Sequence, residues 1–270
     1  MNLEELQFLL KQYGLTPNKV RGQNFLVSDQ VLDDIMIAAD IKLDDIIVEV
    51  GPGLGALTQR LVAQAEQVTA FEIDKNFEII LNRLKKVNKN LEIIWQDILS
   101  VTDQQLPTQD YKIVANIPYY LTGKFMQKFL TVKNLPQAMI LMVQQEVANR
   151  ILVKDGKQSL LSLSVAFYAR AEIVKKVDKN DFYPVPKVDS AVIKIDNIHT
   201  WQYKVEEKKV WQLIKRGMSH KRKKLLNNLL TDQEIDKVKI NKVFEELGLD
   251  KNIRAEKLSI ENWIDLAKNL

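Results

Sequence analysis

Short apolar runs alternate with helical stretches through the first half of the chain. Residues 46–50, 67–71, 91–95, 112–115 and 138–143 are apolar or β-branched runs of strand length. Between them, residues 56–65, 76–87 and 121–130 space their apolar side chains at intervals of three and four, the period of an amphipathic helix. Strand and helix in alternation predict a parallel α/β sheet, whose ligands bind beyond the carboxyl ends of the strands. After residue 143 the pattern predicts a helix over 144–153, then two β-rich runs, 161–169 and 191–195, as the last strands of the same sheet. Past Asp196 every periodic stretch is helical: 205–218, 223–230, 240–247 and 260–270. The expected organisation is an α/β domain over 1–198 and a small all-helical domain over 199–270, divided between Asp196 and Tyr203.

Composition narrows the chemistry. The chain of 270 residues is 46% hydrophobic and 27% charged, the balance of an ordinary globular protein with enough length for a substantial core. It has no cysteine, which excludes disulfides, thiolate metal sites and a cysteine nucleophile and suits a reducing compartment. Its two histidines, His199 and His220, do not have metal-ligand spacing, so no metal site is expected. Residues 1–13 carry Glu4 and Glu5 where an export signal would be basic, and no apolar run is long enough to span a bilayer; a cytoplasmic protein is expected.

The formal charge is only +4, yet residues 204–224 hold nine Lys or Arg against two Glu, a local excess of +7 that leaves the rest of the chain at −3. At its end Lys221, Arg222, Lys223 and Lys224 are consecutive. On a helix they would radiate over more than half a turn, beyond what nearby acids can pair, and would meet a polyanion.

The first strand runs into Glu49, Val50, Gly51, Pro52, Gly53, Leu54, Gly55, a glycine turn opening a helix at Ala56. Glycines there let backbone approach a ligand closely. Gly51, Gly53 and Ala56 fit a loose dinucleotide fingerprint, with Glu72 near the ribose-binding position, and this spacing does not separate a nicotinamide cofactor from S-adenosylmethionine. Glu72, Asp97 and Asn116 then follow successive strand ends. Carboxylates at Glu72 and Asp97 can accept hydrogen bonds from ribose hydroxyls and an adenine amine. The fourth strand delivers Asn116, Ile117, Pro118, Tyr119, in which an amide, a rigid carbonyl and an aromatic ring can hold a planar amine-bearing base.

Segments 23–26, 49–58, 72–74, 116–122, 145–151, 182–192 and 221–229 together resemble the ribosomal RNA adenine dimethyltransferases, most closely their bacterial small-subunit, kasugamycin-resistance members. The resemblance extends from about Gly22 to the C-terminus. It implies a seven-stranded Rossmann-like methyltransferase domain with a small C-terminal helical domain. It further implies an S-adenosylmethionine site formed by Asn24, Leu26, Glu49, Gly51, Gly53, Glu72, Asp97 and Asn116. The implied reaction is N6,N6-dimethylation of two adjacent adenosines in a hairpin near the 3′ end of 16S rRNA, on an assembling small ribosomal subunit, by a monomer that does not act on DNA. One departure stands out: family members usually carry a Tyr-Gly pair before Leu163, and here the sequence is Lys157, Gln158, Ser159, Leu160, Leu161.

The chemistry of such a site follows from the amine. Its lone pair is delocalised into the purine, and acceptors at the Asn116 side chain and the Ile117 carbonyl would draw it out of conjugation. Pro118 biases Ile117 toward extended backbone and so helps aim that carbonyl. Tyr119 would stack on the flipped base, a contact worth about 1 to 3 kcal/mol, and by resemblance Phe182 would cover the opposite face. Two other readings use the same letters. One is a macrolide-resistance type methyltransferase acting on large-subunit rRNA; the other is a catalytically idle RNA-binding assembly factor.

Overall fold

The computed structural model describes residues 1–18, 22–231 and 235–270. In chain order the strands are β1 (Phe25–Leu26), β2 (Ile46–Val50), β3 (Gln67–Glu72), β4 (Leu91–Trp95), β5 (Tyr111–Asn116), β6 (Ala138–Gln144), β7 (Arg170–Val177), β8 (Phe182–Tyr183) and β9 (Ser190–Asp196). The helices are α1 (Leu3–Gln12), α2 (Asp29–Ala39), α3 (Ala56–Val62), α4 (Glu78–Val87), α5 (Thr122–Phe129), α6 (Gln145–Ile151), α7 (Leu160–Ala166), α8 (Glu207–Gly217), α9 (Leu225–Leu229), α10 (Lys237–Glu246) and α11 (Ile260–Asn269). None of them, among the described residues, is long and apolar enough to cross a membrane.

Seven strands form one sheet in the order β4-β3-β2-β5-β6-β9-β7. Pairing is parallel from β4 through β6 and antiparallel where β9 enters between β6 and β7. The central strand β2 is buried at all five positions, as a strand covered on both faces must be, and its Ile-Ile-Val-Glu-Val sequence supplies that surface except at Glu49. From β2 the chain winds outward to β3 and β4, then crosses back to lay β5 on the other side of β2. The crevice of such a sheet opens where the order reverses. Here the register sets Val50 opposite Ala115, so the glycine turn and Asn116 leave neighbouring strand ends side by side.

One expected element is corrected. Residues 161–169 are not a strand: Leu160–Ala166 is helical, because Ser159 and Ser162 cap its first turn reciprocally and satisfy backbone donors that a sheet would otherwise take. The strand at that edge of the sheet is β7, Arg-Ala-Glu-Ile-Val-Lys-Lys-Val, whose charged side chains suit an edge that must not recruit another strand. The cap also shows what stands in place of the Tyr-Gly pair. Ser159 opens α7, the Gln158 side chain accepts from the Ser162 hydroxyl, and the Gln158 N–H donates to Glu256 O at 2.7 Å.

Contacts group the chain into two compact units, Met1–Ala148 with Ala169–Ile198, and Asn149–Tyr168 with His199–Leu270. The stretch Asn149–Tyr168 therefore clusters with the C-terminal residues, a feature that a single division near residue 198 leaves out. The physical cause is aromatic packing. Phe167 lies 5.3 Å from Trp201, 5.6 Å from Tyr203 and 5.5 Å from Trp211 between ring centroids, and the Tyr168 hydroxyl donates to Glu207 while accepting from Trp211 Nε1.

Candidate active site

Beyond the carboxyl ends of β2, β3, β4 and β5 lies a cavity of about 390 Å³, within the range that holds a small-molecule ligand. Asn24, Leu26, Glu49, Gly51, Gly53, Glu72, Asp97, Asn116, Ile117, Pro118 and Tyr119 all line it. Asn24 and Leu26 come from the N-terminal ribbon; the others meet here because they lie at or just beyond the carboxyl ends of strands of one sheet.

The glycine turn is held from beside it. Gly53 has φ +54°, a conformation that costs other residues energy, and a Cβ there would lie 3.2 Å from the Phe25 ring. The Gly53 N–H donates to Glu72 Oε2 at 3.1 Å, while Glu72 Oε1 accepts from the N–H groups of Ile73 and Asp74, both at 2.8 Å. Glu72 thus has a structural task and also faces the cavity, where only Oε2 retains an acceptor direction. Burial raises its pKa, against the pull of the three backbone donors.

Glu49 is more extreme. It is 1% exposed, and burial pushes its pKa up to about 8, with the Glu72 carboxyl adding in the same direction and the Thr58 hydroxyl opposing. Neither Glu49 Oε2 nor the Thr58 hydroxyl makes a hydrogen bond of good geometry with any described residue. Asp97 uses Oδ1 to cap the following turn at Leu99 N–H, 2.9 Å away, which leaves Oδ2 for the cavity.

The N-terminal segment closes the site through a two-stranded ribbon in which Phe25 pairs with Tyr183 and Leu26 with Phe182. Gln23 Nε2 donates to Asp74 Oδ2 at 2.8 Å, tying this segment to the loop after β3. Asn116 Nδ2 donates to the Asn24 carbonyl at 3.4 Å. A carbonyl only accepts, so the Asn116 amide must turn its nitrogen toward Asn24 and leave Oδ1 free as an acceptor. The following Pro118 has φ −55° and ψ 131°, and the Tyr119 hydroxyl hydrogen-bonds Ser190 Oγ at 2.7 Å, fixing the ring in the cavity wall.

Phe182 is the exception. It is 2% exposed, packs in the hydrophobic core and does not line the cavity, although its ribbon partner Leu26 does. Sequence reasoning also passed over cavity residues that carry no polar signature: Ile73, still 57% exposed, and Ile98 and Leu99 beside Asp97. Their only sequence signal is adjacency to a strand-end acid.

The basic run belongs to the second compact unit and is not helical. Lys221, Arg222 and Lys223 occupy an exposed turn between α8 and α9, and Lys224 is the N-cap of α9, bonded to Asn252 Oδ1. The buried Asn228 holds the turn, its amide donating to the carbonyls of Gly217 at 2.6 Å and His220 at 3.1 Å. Among the described residues none of the four cations forms an ion pair with a carboxylate.

The "Ribosomal RNA adenine dimethylase" family model matches residues 14–270. Among curated relatives, Ribosomal RNA small subunit methyltransferase A of Dehalococcoides mccartyi strain CBDB1 is 42% identical over 258 residues, 94% of this chain and 89% of that protein. Its counterpart in Alkaliphilus oremlandii strain OhILAs is 36% identical over 271 residues, 97% of this chain and 94% of the relative. Among solved structures, a dimethyladenosine transferase from Plasmodium falciparum aligns with TM-score 0.75 at 27% identity, covering 90% of this chain and 95% of that one. The 23S rRNA methyltransferase ErmE aligns with TM-score 0.72 at 24% identity over 92% and 99% of the two chains, a likeness of fold. The family match takes in the ribbon segment, the glycine turn, the 116–119 tetrapeptide and the basic turn alike, and the chain therefore belongs to the ribosomal RNA adenine dimethylase family.

Proposed function

We propose that the protein uses S-adenosylmethionine to place two methyl groups on N6 of adenosine, on two adjacent adenosines of a hairpin near the 3′ end of small-subunit rRNA during subunit assembly. The observation that carries this reading is Asn116, whose Oδ1 is freed as an acceptor by the bond from Nδ2 to Asn24, at the strand end beside the glycine turn.

The leftover polar atoms of the cavity support the cofactor. Glu72 Oε2, Asp97 Oδ2 and Asn116 Oδ1 are all acceptors. An acceptor-rich wall suits a cationic ligand rich in donors and is a poor match for a dinucleotide pyrophosphate. When bound, S-adenosylmethionine supplies a methyl group already activated by its sulfonium. The chain's own residues position the amine: Asn116 Oδ1 and the Ile117 carbonyl accept hydrogen bonds from its two N–H groups, and Tyr119 carries the ring. Drawing the lone pair out of the purine needs orientation more than a strong base, since the nitrogen becomes acidic on methylation and releases its proton to water. Glu49 lies buried at the floor of the cofactor side.

The small subunit is favoured over the large one by relatives at 36% to 42% identity named for the small subunit. The exposed turn Lys221–Lys224 supplies cations for rRNA phosphates, and the protein acts as a cytoplasmic monomer. The decisive experiment measures methyl transfer to small subunits lacking the modification, against mature small subunits, large subunits and DNA. Transfer confined to the unmodified small subunit is expected, and transfer to large-subunit RNA alone overturns the reading. An idle assembly factor would show no thermal stabilisation by S-adenosylmethionine, whereas an enzyme is stabilised.

A further inference from the structure

Tyr120 is 66% exposed and lines the same cavity as its neighbour Tyr119. The two lie in one 3₁₀ turn, Tyr119–Leu121, where successive side chains point about 120° apart. Tyr119 is held in the wall by Ser190, so Tyr120 is turned outward to the rim. The turn is firmly built: Leu121 N–H donates to Pro118 O at 2.9 Å, and the Thr122 hydroxyl donates to Tyr119 O at 3.0 Å.

Directly after this turn α5 begins, with Phe125, Met126 and Phe129 fully buried on one face. Lys124 is exposed and also lines the cavity. Lys124 lies four positions after Tyr120, the spacing that puts two side chains on one side of a helical run. Among the described residues Tyr120 has no ring contact or hydrogen bond, and Lys124 has no ion pair or hydrogen bond. An exposed tyrosine alone is ordinary. One on a rigid backbone at the cavity rim, with an unpaired cation one turn away, presents the two groups that a nucleotide uses, a flat apolar face and a charge for its phosphate.

We propose that Tyr120 and Lys124 form a rim subsite for the nucleotide adjoining the one whose base enters the cavity, with the Tyr120 ring stacking on its base and Lys124 meeting the connecting phosphate. The subsite rests on the adenosine-methylating reading above and adds to it a specificity-determining residue. A base entering toward Tyr119 leaves its neighbour without a stacking partner, and Tyr120 supplies one at the point where the strand turns in.

The test measures initial rates on small subunits lacking the modification, together with the shift in melting temperature caused by S-adenosylmethionine. Tyr120→Ala should raise KM about 5- to 150-fold, as expected for one lost base-aromatic stack, with kcat within about twofold and the cofactor-induced shift unchanged. Tyr120→Phe should restore KM, because the ring and not the hydroxyl makes the contact. Lys124→Gln should flatten the dependence of log KM on log salt concentration by about one phosphate contact. A wild-type KM in Tyr120→Ala, or a Tyr120→Phe as impaired as Tyr120→Ala, overturns the subsite while leaving the proposed function standing. A wild-type protein stabilised by S-adenosylmethionine that transfers nothing to small subunits overturns the substrate reading and the subsite with it.

Discussion

Replacing Glu49 by Gln tests the electrostatics of the cavity floor most directly. The carboxyl is 1% exposed and keeps its proton in the folded protein up to about pH 8, whereas in the unfolded chain it releases it near the ordinary 4.5. Between those values the unfolded state binds fewer protons than the native state, so this group makes stability fall as pH rises. Each pH unit in that window costs about 1.4 kcal/mol, and the whole window sets a ceiling of about 4 to 5 kcal/mol. Glutamine has nearly the same shape and no proton to lose, and its amide can still face the Thr58 hydroxyl. Glu49→Gln should therefore be close to wild type near pH 4.5 and gain on it steadily, by about 2 to 3 kcal/mol between pH 5.5 and 7.5. Urea unfolding of both proteins at pH 5.5, 6.5 and 7.5, without ligand, reads this difference. Parallel stability profiles for the two proteins would sink the assignment, because a carboxylate already ionised at pH 5.5 shows no such divergence.

Other residues give separable outcomes. Asn116→Ala should lower kcat by about 10²- to 10³-fold, the cost of removing one acceptor aimed at the reacting group, with RNA affinity near normal; loss of RNA binding instead counts against its role. Gly53→Ala should weaken stabilisation by S-adenosylmethionine and cost about 1 to 2 kcal/mol of stability, since the new Cβ both resists φ +54° and presses on Phe25; an unchanged thermal shift would show that the turn does not hold the ligand. Neutralising Lys221, Arg222, Lys223 and Lys224 together should weaken RNA binding and reduce the slope of log affinity against log salt by about 3, and an unchanged slope refutes the patch.

The strands and the residues at their ends were legible because their signals are local. An apolar run of strand length, a glycine turn and an X-Pro pair each restrict the backbone within a few residues, and β2 through β6 fall where the pattern placed them to within a residue or two at each end. The run at 161–169 misled because serines among apolar residues satisfy either period. What tipped it was the reciprocal cap of Ser159 and Ser162, which a count of apolar residues does not register. The basic run was visible as charge, but not its conformation, which depends on Asn228 reaching across to Gly217 and His220.

By itself, then, the sequence determined the strand-helix alternation, the chemistry carried to each strand end, and the concentration of positive charge. Only the tertiary structure decided which of those groups meet. The register of Val50 against Ala115 sets the glycine turn beside Asn116, and the ribbon of Leu26 with Phe182 brings Asn24 across to orient the Asn116 amide. That same ribbon buries Phe182 in the core, and the Ser190 hydroxyl separates the roles of two adjacent tyrosines by holding Tyr119 in the wall while Tyr120 stays at the rim. Such outcomes depend on pairing between segments up to about 160 residues apart, and a side chain's direction is set by those partners rather than by its neighbours in the chain.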